Sequence, residues 1–195
     1  EGRPGRGRGR SIRLRCSSLH PAPTLAPVVR SRSEQLLLGE WAVLGILANG
    51  PAHGFAVSKR LAAAGDVGRV WSLSRPLTYR ALDQLAERGL IRSKGEEPGR
   101  AGGPRTIYGV TPRGRQMLAR WLEEPAQHLR DVRTELLLKL VLCDLAAIDP
   151  TPLIEAQRAV SEPVARKWAS EARRNGGDPV TLWRWESDRK STRLN

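Results

Sequence analysis

A chain of 195 residues with a hydrophobic share of 39% can bury one ordinary core or two small ones, although one Phe and two Tyr leave aliphatic residues and six Trp to fill it. Thirty-three Lys and Arg against 20 Asp and Glu give a net charge of +13, which points to a polyanion, nucleic acid being the commonest. No apolar run approaches the ~20 residues of a membrane helix, and two cysteines in unlike surroundings offer neither a disulfide framework nor zinc spacing, which fits a reducing, cytoplasmic compartment.

The basic charge is unevenly spread. Residues 1–33 carry eight Arg against one acid, and residues 69–120 carry eleven bases against four acids. Residues 121–195 hold twelve of each and are neutral. The opening stretch, 1–33, is rich in Arg, Gly, Pro and Ser without apolar periodicity and is expected to be disordered. It reads as an unspecific phosphate-binding tail, as a transit peptide, or as upstream sequence translated in error, since Glu1 rather than Met opens it.

Order is expected from Glu34. Gln35 to Asn49 reads as a mostly apolar first helix, closed by Asn49-Gly50-Pro51, and a helix apolar on so many sides is either central in its domain or shared with a second subunit. A second helix is expected from His53 to Ala64, stopped by Gly65. The third spans Leu73 to Leu90, with Ser74 at the N-cap accepting a backbone N–H, Pro76 in the first turn and Gly89 at the end. Leu82, Leu85 and Ala86 share one face, while Ser74, Arg75, Thr78, Tyr79 and Arg80 are assigned to the other. Three short helices in this order, the last basic at its front, form a helix-turn-helix unit whose recognition helix would lie in a DNA major groove.

Two strands follow, Leu90 to Lys94 and Arg105 to Val110, joined by a Gly- and Pro-rich tip. A hairpin directly after a recognition helix is a wing, and Lys94, Arg100 and Arg105 are its residues best placed to touch DNA, against the alternative of solvated loop charge. Thr111-Pro112 caps and starts a fourth helix through Met117, Leu118, Trp121 and Leu122. A helix from Asp131 to Ala147 follows, then a run from Leu153 to Arg174 in which Pro163 demands a kink or two shorter helices. The last helix begins at Asp178-Pro179. The polar ending from Ser187 resembles adapter read-through, so the native C-terminus is expected to lie beyond it.

Leu44 to Leu61, Leu73 to Leu90 and Tyr108-Gly-Val-Thr-Pro-Arg-Gly114 together resemble the PadR family of bacterial winged-helix transcription regulators, over about Glu34 to Leu122. The segment from about Arg133 resembles the helical dimerisation region of longer members. The resemblance implies a homodimeric repressor on a two-fold operator, released by a small-molecule effector or another signal. By position, Tyr79 matches the tyrosine of the family's recognition helix, Gly54 the glycine opening its second helix, and Thr111 with Gly114 the turn after the wing. Pro76-Leu77-Thr78 departs from the family pattern in its bulk.

The expected architecture is therefore mainly α (α+β): a tail, 1–33; a winged helix with a two-stranded wing, 34–124; and a helical dimerisation region, 125–195. Leu136, Leu140, Val160, Val164, Trp168, Leu182 and Trp185 are the candidate dimer contacts. Trp71, Trp121 and Trp168 either line an effector pocket or serve packing. His20, His53 and His128 are scattered without metal or triad spacing, so no enzyme, metal or cofactor is expected, and Cys143 reads as inert core. Double-stranded DNA and a second copy of the chain are the expected partners. A basic RNA- or ribosome-associated protein and a winged-helix protein-interaction adaptor are the rival classes.

Overall fold

The computed structural model describes residues 36–99, 103–128 and 131–174, with 178, 180 and 183. The tail 1–33, Arg100, Leu182 and Trp185 lie outside the described residues.

The first helix, α1 (Leu38–Asn49), is central: every residue from Gly39 to Leu47 is buried by the chain itself. Its start is held by Glu40, whose carboxylate accepts the Leu37 N–H at 2.7 Å, one of the donors a helix N-terminus leaves without an internal partner. The short α2 (Gly54–Arg60) ends earlier than its apolar pattern suggests. Beyond it the chain folds back tightly: the Gly68 N–H reaches the Arg60 carbonyl at 2.9 Å, and a β-carbon on Gly65 would stand 2.2 Å from that same oxygen. Arg60 and Asp66 clasp each other across this bend, at 2.6 Å.

α3 (Arg75–Glu87) follows, with Pro76 in its first turn and Gly89 just beyond its end in the left-handed region, at φ +66. Ser74 occupies the N-cap, but its side chain makes no capping bond. Its carbonyl instead receives both the backbone N–H and the hydroxyl of Thr78, each at 3.0 Å.

The expected two-stranded wing is a three-stranded antiparallel sheet. A two-residue strand, β1 (Ala52–His53), pairs with β3 (Arg105–Val110), and β3 pairs with β2 (Ile91–Glu97). β1 sets Ala52 opposite Tyr108 and His53 opposite Ile107. The β2–β3 register slips between Ser93 and Gly95, where φ is +132, a conformation glycine takes without strain. α4 (Pro112–Glu123) starts as its Thr-Pro pair dictates, the Thr111 hydroxyl accepting the Gly114 N–H at 3.1 Å. Gly114 is required there, since a β-carbon would lie 2.2 Å from the Leu90 carbonyl oxygen.

After α4 a π-helical turn, Val132–Leu136, runs into α5 (Leu137–Leu145), and α6 (Thr151–Arg174) completes the described helices. α6 continues through Pro163 rather than dividing into two shorter helices there, and Pro163 itself is exposed. From Leu36 on the chain forms one unit. Leu138, Leu142 and Cys143 of α5 lie in the core built by α1, α3 and α4, and a β-carbon on Gly45 would stand 2.5 Å from Leu142. A smaller cluster joins Ala126, Val132, Leu136 and Leu153, with Leu140 against it. Leu136, 2% exposed, is spent on this internal packing and is thereby withdrawn from the expected dimer contacts. Gln157 of α6 is buried nearby; its amide accepts the Ala126 N–H at 2.7 Å and donates to the Ala126 carbonyl at 3.1 Å.

Candidate nucleic-acid interface

Phe55, the single phenylalanine, organises the basic surface. Lys59 Nζ stands 5.1 Å from its ring centre, Arg75 Cζ 5.4 Å and Arg105 Cζ 5.6 Å, within the ~6 Å over which a cation is drawn to an aromatic face. These cations come from α2, α3 and β3, so one ring gathers charge from the second helix, the third helix and the wing. Arg75 also lies 5.8 Å from the centre of the Tyr79 ring, one helical turn on. That turn packs closely on α2: a β-carbon on Gly54 would meet the Tyr79 ring at 2.8 Å. Tyr79 remains 38% exposed.

His53 fastens the wing to this arrangement. Its Nδ1 accepts the Ala56 N–H at 3.0 Å, capping α2, and its Nε2 stands 3.2 Å from the Glu97 carboxylate at the end of β2.

Of the residues assigned to the front of α3, Ser74, Arg75, Tyr79 and Arg80 are exposed. Thr78 is not: at 0% exposure it belongs to the buried stripe with Ala81, Leu82 and Leu85, three, four and seven positions on. Its hydroxyl, bonded to the Ser74 carbonyl, is satisfied inside the helix, and this is what lets a threonine occupy a core position. Arg80 lies about 140° round the helix axis from Arg75 and joins Leu77 and Gln84 in the wall of a groove on the other flank. In the wing, Lys94 is exposed with its stem across Gly109, and Arg105 is half-buried beside Phe55. Sequence reading missed Phe55 and Lys59 as members of this cluster. Their i, i+4 spacing on α2 is the signal that was available.

The three candidate pocket tryptophans are not brought together. Trp71 lines the groove beside Arg80, whereas Trp121 is buried, stacked on Trp41 with ring centres 4.6 Å apart and planes 7° from parallel. The ammonium of the fully buried Lys139 lies 4.6 Å from the Trp121 ring, pairs with Glu135 at 2.8 Å and donates to the Glu124 carbonyl. Trp168 is half-buried on α6, as are Val160 and Val164. Cys143 is buried, and burial pushes its thiol above the ordinary value although Lys139 pulls the other way. Among the described residues no group of three His, Cys, Asp or Glu is placed to hold a metal ion, and no helix is long and apolar enough to cross a membrane.

Residues 43–120 match the model of the transcriptional regulator PadR-like family. No curated protein matches the chain. Among solved structures, Bacillus subtilis PadR in complex with operator DNA is 18% identical over 80% of this chain and 93% of its own, with a TM-score of 0.43. The same protein in complex with p-coumaric acid is 18% identical over 81% and 94%, with a TM-score of 0.41. The Vibrio cholerae virulence activator AphA is 20% identical over 80% and 88%, with a TM-score of 0.38. The matched family is one of regulators, not of enzymes. Residues 43–120, from within α1 to within α4, form a winged-helix region that matches the PadR-like family of transcriptional regulators.

Proposed function

We propose that the chain is a sequence-specific DNA-binding repressor that acts in the cytoplasm as a homodimer and releases its operator on a small-molecule or other signal. One observation carries the DNA contact: Lys59, Arg75 and Arg105, from three separate elements, converge on the Phe55 ring beside the exposed Tyr79. A charge cluster of this kind neutralises phosphates, and Tyr79 and Arg80, both exposed on α3, are assigned the base edges in this reading. The exposed Ser74 and Lys94 are assigned to the same contact, and Arg100 to the wing tip on its sequence position. Thr78 has no part in this reading.

For the second copy, the half-buried stripe of Val160, Val164 and Trp168 on α6 supports an interface in the neutral last third, and the half-buried Leu140 is assigned to it as well. Leu182 and Trp185 are assigned to the interface on sequence position alone. Two recognition helices then meet one duplex about a helical turn apart.

Fluorescence anisotropy on the upstream region of the chain's own gene and on a scrambled duplex, at two salt concentrations, tests the proposal. The expected result is tighter binding to the specific duplex, with a two-to-one protein-to-duplex stoichiometry. Equal affinity for both duplexes, or for single-stranded RNA, sinks it and favours an unspecific basic binder.

A further inference from the structure

The groove on the far flank of α3 has unusual walls. About 480 Å³ in volume, it runs between the start of α1, the segment before α3 and the outer side of α3, lined chiefly by Leu37, Leu38, Trp71, Leu73, Leu77 and Ala81. Leu37 and Leu77 stay 69% and 50% exposed, an unfavourable use of leucine unless something covers them.

Two residues in these walls carry buried polar atoms with nothing to bond. Glu40 is 1% exposed; its Oε2 takes the Leu37 N–H and lies 4.0 Å from Arg88, but Oε1 has no partner. Trp71 Nε1, a donor, is likewise buried and unsatisfied. Among the described residues these are the buried side-chain polar atoms without a hydrogen bond, and both belong to one groove. An unmet acceptor and an unmet donor each carry a desolvation cost that a bound molecule of matching chemistry removes.

We propose that this groove is a small-molecule site. Its ligand has a flat apolar body that covers Leu37 and Leu77, an N–H or O–H donor for Glu40 and an acceptor for Trp71. Arg80 is a wall of the groove and also stands at the front of α3, so an occupied groove draws on a side chain that the free protein offers to DNA. This second half of the proposal rests on the reading of α3 as the DNA-contacting helix.

The probe is phenylnaphthylamine, an uncharged aromatic amine with one N–H, whose emission rises in apolar surroundings. It is titrated into the full chain and into the Glu40→Gln and Leu37→Asp variants. The last places a charge at the groove mouth on an exposed N-cap position that favours Asp, so the fold is kept. The expected result is saturable binding to the parent chain, about tenfold weaker in Leu37→Asp and Glu40→Gln. Equal binding to the parent and Leu37→Asp overturns the site. In parallel, duplex binding is followed by anisotropy with and without saturating probe, and a severalfold loss of affinity is expected in the parent alone. Probe binding without any duplex binding would overturn the DNA reading and keep the site. An unchanged duplex affinity with probe bound would overturn the coupling through Arg80.

Discussion

Gly54 and Tyr79 fit together as socket and ring: the tyrosine edge occupies the place a β-carbon on residue 54 would take, 2.8 Å away. The contact explains why a glycine opens α2, and it sets the height at which Tyr79 leaves the surface. Gly54→Ala is expected to cost about 1–3 kcal/mol by overpacking. Adding Tyr79→Leu should return most of that loss, which a double-mutant cycle in urea measures. Additive losses would show that the two residues do not contact each other.

Phe55→Leu conserves an apolar side chain but removes the ring face shared by three cations. Duplex affinity is expected to fall roughly two- to fivefold, in line with about 0.5–1 kcal/mol for an exposed cation–π contact. Because no charge is lost, the slope of log K against log salt should hold. Arg75→Ala, which deletes a charge, should lower that slope by about one if the guanidinium meets phosphate. Anisotropy across a salt series separates the two variants.

Asp66 carries a pH signature. The hydrogen bonds from Arg60 hold its carboxyl below the ordinary value of 3.8, against a smaller opposing effect of burial. A depressed carboxyl contributes stability above its unfolded value and loses it as pH falls through the folded one. Asp66→Asn should therefore melt below the parent at neutral pH and converge with it below about pH 4. The difference is expected to stay under about 1 kcal/mol, since the pair is solvent-exposed, and to shrink with added salt.

Cys143 is expected to resist thiol reagents in the native state, because burial both blocks access and raises its thiol above the usual range. Labelling by a disulfide reagent should proceed with global unfolding in urea. Fast labelling at zero denaturant would show that α5 opens locally.

Local chemistry accounts for what could be read in advance. The Thr111-Pro112 start of α4, Pro76 in the first turn of α3 and Gly89 beyond its end depend on neighbours within a few positions, and each takes its expected place. β1 was invisible because two residues become a strand only through partners more than fifty positions away, Tyr108 and Ile107. Thr78 was misplaced because its residue type outweighed its spacing: it lies three, four and seven positions before Ala81, Leu82 and Leu85, all buried. An apolar seam through Leu136 and Leu140 cannot tell a partner helix from the chain's own Ala126 and Leu153. In the Phe55 cluster only the i, i+4 pair of Phe55 and Lys59 is local to one helix, whereas Arg75 and Arg105 reach the ring from α3 and β3.

The amide of Gln157 acts on Ala126 as a neighbouring strand would, taking its N–H and giving to its carbonyl. A hinge between the front and rear of the molecule would be expected at Ala126, next to Pro125, yet that residue is bolted to α6 by two bonds. Any swing of α6 must therefore drag the end of α4 along or break both bonds at once. The tie lies three residues beyond the last turn of α4, where the chain leaves the winged helix.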